Sequence, residues 1–279
     1  MAIYTLDQFI GSTKQKIHYQ KVTAVSVAGQ WQTLFNLNGT PGAGSFNWIV
    51  QSNASLNGVV VDYSRPGFPS INPFGINNVG YLSKFAFANT VAGRYMIYDR
   101  IWEAGPFACS GTGRMVSLFT NASTYEYRVP LTSTGKRDWS QLEMWIDVST
   151  TFSATATTLS LKYINQDGSA STSPATLTLS SFVTGRTFQM PLAAGDKGVQ
   201  RITDVSIGGA TNALGIFNVY LARPLYTDAR VNAVNVSDVH TFEKTGMPNI
   251  DASAAIAINY AADSTATGIV DNFVEIING

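Results

Sequence analysis

The sequence predicts an all-β protein, an antiparallel β-sandwich of jelly-roll-like type, in two β units preceded by a short N-terminal helix or arm. Three observations carry this. Apolar residues recur at period two in short runs, the runs are separated by clusters of Gly, Pro, Asn and Asp, and helix signals are scarce. The cleanest alternation is in LEMWIDVSTTF, where Leu142, Met144, Ile146 and Val148 alternate with Glu143, Trp145, Asp147 and Ser149. That pattern is expected of a strand with one buried and one wet face.

Taken in order, the one helix signal is at the start. Thr5 with Gln8 three residues on reads as a capping box ahead of Leu6, Phe9 and Ile10, and Gly11 stops the run. So short an apolar element cannot make a core alone, so it is expected to dock, either on the protein's own sandwich or on a neighbouring subunit. From Val22 the pattern is strands and turns. Trp31, Thr33 and Phe35 lead into the loop NLNGTPGAGS. The stretch YSRPGFPSINPFGINNVG is long and carries three prolines, but Phe68, Ile71, Phe74 and Ile76 give it apolar feet, so a packed loop is expected. GYLSKFAFANTVAGRYMIYDRIWEAG reads as a hairpin, with Leu82, Phe85 and Phe87 on one arm and Tyr95, Met96, Ile97 and Tyr98 on the other. Strands are also expected at MVSLFT and YEYRVPL.

FSATATTLSLKYINQDGSAS resembles a low-complexity linker, yet Leu159, Leu161 and Tyr163 alternate with Ser160, Lys162 and Ile164. Asn165 to Gly168 then supply turn residues, and Thr176 to Leu179 alternate on the return. The second half is therefore a strand and turn within the fold. Further strands are expected at RTFQMPL, QRITDVSIG and IFNVYLARPL. Past Pro224 the pattern loosens, with Ile256, Ile258, Tyr260, Ile269, Val270, Phe273, Val274 and Ile276 as the last apolar sets. The expected division is an arm over 1–21, one sandwich over 22–135, a second over 136–230, and a C-terminal segment over 231–279 packed on the body or on a neighbour.

Charges balance at 18 basic and 18 acidic, and charged residues make up 13% of the chain against a usual value of about 25%. No basic footprint for nucleic acid exists, and a neutral, hydroxyl-rich surface with little charge repulsion suits a subunit packed in an assembly. The start of the chain lacks a basic region followed by an apolar core, and no run of 18 apolar residues occurs, so synthesis in a cytoplasm and no membrane span are expected. One cysteine, Cys109, allows no intrachain disulfide and reads as a small buried hydrophobe.

Chemistry-bearing motifs are few. His18 and His240 lack metal-ligand spacing, and no phosphate loop or nucleophile elbow is present, so no metal, no cofactor and no catalytic residue is expected. Two carboxylates suffice for glycoside hydrolysis, which brings up Glu143 with Asp147 and Asp99 with Glu103. Glu143 and Asp147 flank Trp145, which fits a sugar-stacking site as well as a solvated face. Asp99 with Arg100 reads as a structural ion pair closing an element. Asp167 with Asn165 lacks the other oxygen ligands of a calcium loop.

Four phrases in order, MAIYTLDQFIGSTKQKIHYQK, GYLSKFAFANTVAGRYMIYDRIWEAG, LEMWIDVSTTFSATATTLSLKYINQDG and MPLAAGDKGVQRITDVSIGGATNALGIFNVYLARPL, resemble virion structural proteins of tailed bacteriophages, over residues 1 to about 225. The resemblance implies a non-enzymatic particle component on the outer surface of the head. A shell protein of the usual type would need a long helix and a mixed α/β body, so a decoration or cement protein fits better. Such a protein would bind the major capsid protein and copies of itself, as a homo-oligomer with a trimer as the expected form. Tyr4, Leu6, Phe9 and Ile10 are the candidate assembly contacts. The rival is a tail, fibre or head-surface module gripping a host-surface glycan through Trp145, Glu143 and Asp147, or through Trp48 or Trp102.

Overall fold

The computed structural model describes residues 3, 5–23, 26–46, 58–74, 78–109, 113–174, 177–209 and 214–279. Tyr4, Trp48, Ile76 and Thr176, named above, lie outside the described residues. In chain order the elements are α1 (Leu6–Gly11), β1 (Thr13–Val22), β2 (Trp31–Thr33), β3 (Gly39–Thr40), β4 (Val59–Val60), β5 (Gly80–Asn89), β6 (Gly93–Ala108), β7 (Arg114–Ser117), β8 (Glu143–Thr150), β9 (Thr157–Asn165), β10 (Ala170–Thr172), β11 (Leu177–Leu179), β12 (Thr187–Gln189), β13 (Val199–Ile207), β14 (Ile216–Val231), β15 (Asp238–His240), α2 (Phe242–Thr245), β16 (Asn249–Ile250), β17 (Ile256–Ala262) and β18 (Ile269–Asn278). Three short 3-10 turns lie between β7 and β8. The long ladders β1–β18, β5–β18, β9–β13, β8–β14 and β6–β17 are all antiparallel, and the protein is the predicted all-β sandwich with a short N-terminal helix.

The chain divides into two compact units that are interleaved in sequence. One is built from Met1–Gly44, Asp62–Asp99 and Pro224–Gly279, the other from Ser45–Val61 and Arg100–Arg223. This corrects the expected consecutive blocks. Strand pairing joins distant segments: β1 runs in continuous antiparallel register with β18, from Thr13↔Asn278 to Val22↔Ile269, so residues 13–21 are a sheet strand and not an arm. The second unit enters the first as two insertions, residues 45–61 and 100–223. Its boundaries at 99/100 and 223/224 fall inside the sixteen-residue strands β6 and β14, where no linker composition exists to mark them.

In the first unit one layer is a six-stranded sheet in the order β15-β5-β18-β1-β3, with β16 also on β5. The other layer pairs β17 with β2 and with the first half of β6. Ile17, Tyr19, Phe85, Phe87, Val270 and Val274 from the first layer meet Tyr95, Ile97, Ile256, Ile258 and Tyr260 from the second, with Leu225, Ala229 and Val231 of β14 in the same core. The Tyr19 hydroxyl donates to the Ile256 carbonyl across the layers. Phe85 and Tyr95 meet edge to face at 5.6 Å. This replaces the expected hairpin: β5 and β6 lie in opposite layers, and β5 pairs with β15, β16 and β18 instead. A register shift opposite Glu275/Ile276 lets both Leu82 and Phe85, three residues apart, face inward. The Pro-containing loop is packed as expected, with Phe68 and Ile71 buried. The C-terminal segment supplies β17 and β18 to the two layers, which is why its apolar sets are so dense.

In the second unit β9 is central to a five-stranded sheet ordered β10-β9-β13-β7, with β11 also on β9. Opposite it, β8 pairs with β12 and with the first half of β14, and β4 pairs with the second half of β6. Leu159, Leu161, Tyr163, Ile202 and Val205 pack on Met144, Ile146, Val148, Phe217 and Val219. The linker-like stretch is therefore a core strand and turn, with Gly168 closing the turn on the Asn165 carbonyl at 3.1 Å. YEYRVPL forms 3-10 turns instead of a strand, and Tyr125 and Val129 are buried from them.

Leu161→Ala removes a fully buried side chain and is expected to cost about 2–5 kcal/mol. Lys162→Ala, one residue on and facing out, is expected to stay within about 0.5 kcal/mol. Urea unfolding of both variants checks the assignment of faces, and equal effects would contradict it.

Candidate functional site

The densest group of chemistry-bearing side chains lies in the second unit. Alternation along β8 turns Met144, Ile146 and Val148 into the core and Glu143, Trp145 and Asp147 to the opposite face. That face was expected to be wet, and it is covered: Trp145 is 2% exposed and Asp147 0%. Both edges of β8 are occupied, by β12 and β14, and chain from the 45–61 segment reaches this face, where Asn218 Nδ2 donates to the Phe46 carbonyl at 2.9 Å. The Trp145 indole donates to Glu143 at 2.8 Å and its ring lies 6.5 Å from Tyr220. No open sugar platform exists here, so the glycan reading loses its best residues.

Asp147 is held by Arg100 of β6, with Nη1 donating to Oδ2 at 2.5 Å. Nε and Nη2 of the same guanidinium both reach Glu103 Oε2 at 2.9 Å, and the guanidinium lies 3.8 Å from the Tyr220 ring centre. Asn218 Nδ2 donates to Glu103 Oε1 at 2.5 Å. Gly105, at φ +144°, makes room for this: a Cβ there would stand 2.4 Å from Asn218 Oδ1. The expected Asp99–Arg100 pair is not formed. Successive strand residues point to opposite faces, and Asp99 instead accepts from the Ala255 amide at 2.9 Å. Strict alternation would put Asp99 and Glu103, four residues apart, on one face; Glu103 instead bonds Arg100, so β6 departs from alternation between residues 100 and 103.

Arg100, Glu103 and Asp147 are all at 0% exposure. Burial is the largest influence on the Glu103 carboxyl and raises it to about 7; Arg100 pulls it down and Asp147 pushes it up. Burial likewise raises Asp147. A sealed, ion-paired cluster offers no approach to substrate, and its chemistry is structural. The other candidates are occupied similarly. His18 Nε2 sits 2.7 Å from Asp271, and His240 contacts Tyr226 and Asp238. Cys109 is buried, which pushes its thiol up to about 11. Among the described residues no group of three or more His, Cys, Asp or Glu is placed to hold a metal ion, and no helix is long and apolar enough to cross a membrane.

Met115, Phe119, Leu131 and Leu214 are exposed in the second unit, and an accessible apolar feature lies in the first, on the outward face of its six-stranded sheet. Opposed pairs there run Val22↔Ile269, Gln20↔Asp271, His18↔Phe273 and Lys16↔Glu275. His18 stacks on Phe273 at 4.4 Å and 5°. Val22, Ile269, Phe273 and Val239 are 58%, 47%, 45% and 43% exposed. At one end of β1 the capping box of α1 forms as predicted, with Gln8 N to Thr5 Oγ1 at 3.2 Å and the reciprocal bond at 3.1 Å. Phe9 docks on Phe242 at 5.0 Å, and Lys14 Nζ stands 5.7 Å from the Phe9 ring. Leu6 and Ile10 do not dock on the unit and remain 65% and 63% exposed. Sequence reasoning missed Val22, Val239, Phe242, Ile269 and Phe273 as surface residues. Strand alternation carried the signal for Ile269 and Phe273, since Val270 and Val274 claim the inner face.

No family model matches the chain, and no curated protein matches it. Among solved structures, that of the Gx strain of infectious bursal disease virus aligns over 95% of this chain and 81% of that chain, at 8% identity and a TM-score of 0.20. The VP2 subviral particle of the same virus aligns over 95% and 80%, at 7% identity and a TM-score of 0.19. Alignments at that level carry no argument about this chain.

Replacing Arg100 with Met is expected to cost about 3–5 kcal/mol in a urea titration near neutral pH, because two buried carboxylates lose their shared cation. A cost below about 1 kcal/mol would show that the cluster is not sealed.

Proposed function

We propose that this chain is a structural, non-enzymatic subunit of a tailed-phage particle, a decoration or cement protein of the outer head surface that binds between shell subunits. The observation that supports it most is the exposed apolar set of the first unit: Leu6 and Ile10 on α1, Phe242, and the sheet residues Val22, Val239, Ile269 and Phe273. Single exposed apolar side chains are ordinary, but a set gathered on one sheet face and the helix at its end is typical of contact surfaces. The partner in this reading is the major capsid protein, with further copies of the chain around a symmetry axis, as a trimer. The four sequence phrases that resemble tailed-phage virion proteins supply the class of particle. Neither a cofactor nor nucleic acid enters the reading, and the membrane plays no part in it. The glycan-binding alternative loses Trp145, Asp147 and Trp102, which are buried.

The helix is the part to test, because its Leu6 and Ile10 are exposed and lie outside the unit's core. Leu6→Asp with Ile10→Asp is expected to leave thermal unfolding of the free protein within about 0.5 kcal/mol of the parent. The same change is expected to lower occupancy on expanded heads at least tenfold, read by electron microscopy or sedimentation with particles. Truncation of residues 1–12 should act the same way. Unchanged occupancy in both variants would overturn the proposed contact.

A further inference from the structure

We infer that Arg100, Glu103 and Asp147 form a one-proton site in the core of the second unit, in which two sealed carboxylates share one guanidinium and hold one proton between them. The geometry requires this. All three side chains are 0–1% exposed, so neither carboxylate has water to solvate its charge. One cation balances one anion, and the second anion would stand uncompensated in the interior. A pair of this kind titrates as a unit, the first proton entering well above the ordinary carboxylate range.

The surrounding groups leave the count unchanged. From β14, Asn218 donates to Glu103 and the Tyr220 ring lies under the guanidinium. On β12, Thr187 bonds the Ile146 carbonyl and the Tyr220 hydroxyl. Along β8, Glu143 accepts from Trp145 and adds a further carboxyl, not a cation. Arg128 donates to the carbonyls of Val61 and Arg100, and Arg223 donates to the carbonyl of Arg128. Arg186 leads into β12, and the main-chain amide of Val148 donates to its carbonyl. Of these, Arg100 is the cation bonded to the pair.

The sign follows from the Glu103 carboxyl, which burial moves from 4.5 to about 7 in the folded chain. The folded state holds the proton more tightly than the unfolded state. Its stabilising effect is fully present below about pH 4.5 and is lost as pH rises through about 7.

The test compares thermal unfolding of the parent and Glu103→Gln between pH 5 and 8.5. The parent's midpoint is expected to fall relative to that of Glu103→Gln as pH climbs through 7, and parallel curves would overturn the inference. Infrared spectroscopy of the native chain decides the matter even where the variant fails to fold. A buried protonated carboxyl band is expected at pH 6 and should vanish by pH 8.5. Its absence at pH 6 would also overturn the inference. In Asp147→Asn the guanidinium serves one carboxylate, so the band should be lost at lower pH than in the parent.

Discussion

The fold depends on the pairing of its first strand with its last. Ten successive residue pairs, from Thr13↔Asn278 to Val22↔Ile269, bring together segments more than 240 residues apart. The entropy of closing such a loop grows only logarithmically with its length, so one long ladder with a buried inner face can offset it. Ile17 and Tyr19 on β1 and Val270 and Val274 on β18 provide that face. Once the ends are joined, everything between Arg100 and Arg223 is an insertion that must leave and return through the same unit. The chain makes the 99/100 and 223/224 crossings as continuous strand, so neither carries a linker, whereas the 44/45 crossing falls at Gly44–Ser45. The same ladder sets the outward face, because each inward residue fixes its neighbours outward.

Strand alternation made much of this legible. Period two alone points Leu142, Met144, Ile146, Val148, Leu159, Leu161 and Tyr163 to the core, and the structure buries all seven. Thr5 and Gln8 marked the helix start because a capping box is a local interaction, complete within four residues. What failed was whatever depended on a partner remote in sequence. GYLSKFAFANTVAGRYMIY has the look of a hairpin, since two alternating runs flank a short polar break. β5 nevertheless finds its partners at β15, β16 and β18, and the turn becomes a corner between layers. Leu82 and Phe85 break strict alternation because Ser83 of β5 is an extra residue opposite Glu275 and Ile276 of β18.

The candidate site was misread for the same reason. Glu143, Trp145 and Asp147 are polar or amphipathic residues alternating with aliphatic ones, which is the pattern of a solvated face. Their cover comes from β6, β14 and the chain near Phe46, and nothing within β8 announces it. Burial of Asp147 becomes tolerable only because Arg100 arrives from a strand 47 residues earlier. Asp99, adjacent to Arg100 in sequence, was the tempting partner, but the pleat points the two in opposite directions. Adjacent opposite charges on a strand are poor evidence for an ion pair; charges on neighbouring strands are better.

Burying charge in this way changes what the composition says about the surface. Eight charged side chains, five basic and three acidic, are in the interior of the described residues. Of the 36 charged residues in the chain these eight are withdrawn, which leaves 28 to meet solvent. A sparse charge coat gives copies of the chain little mutual repulsion. Coupled with the apolar set on the first unit's sheet, it lowers the electrostatic cost of bringing that face against another protein. Interfaces owe their compositional signal to missing charge and added aromatics at the centre, and the row from Val239 through Phe273 to His18 has that character, with Lys16, Lys84 and Glu275 at its margin. Interior and exterior are thus linked: the charges held in the core of the second unit are charges withheld from the surface through which the chain would meet its neighbours.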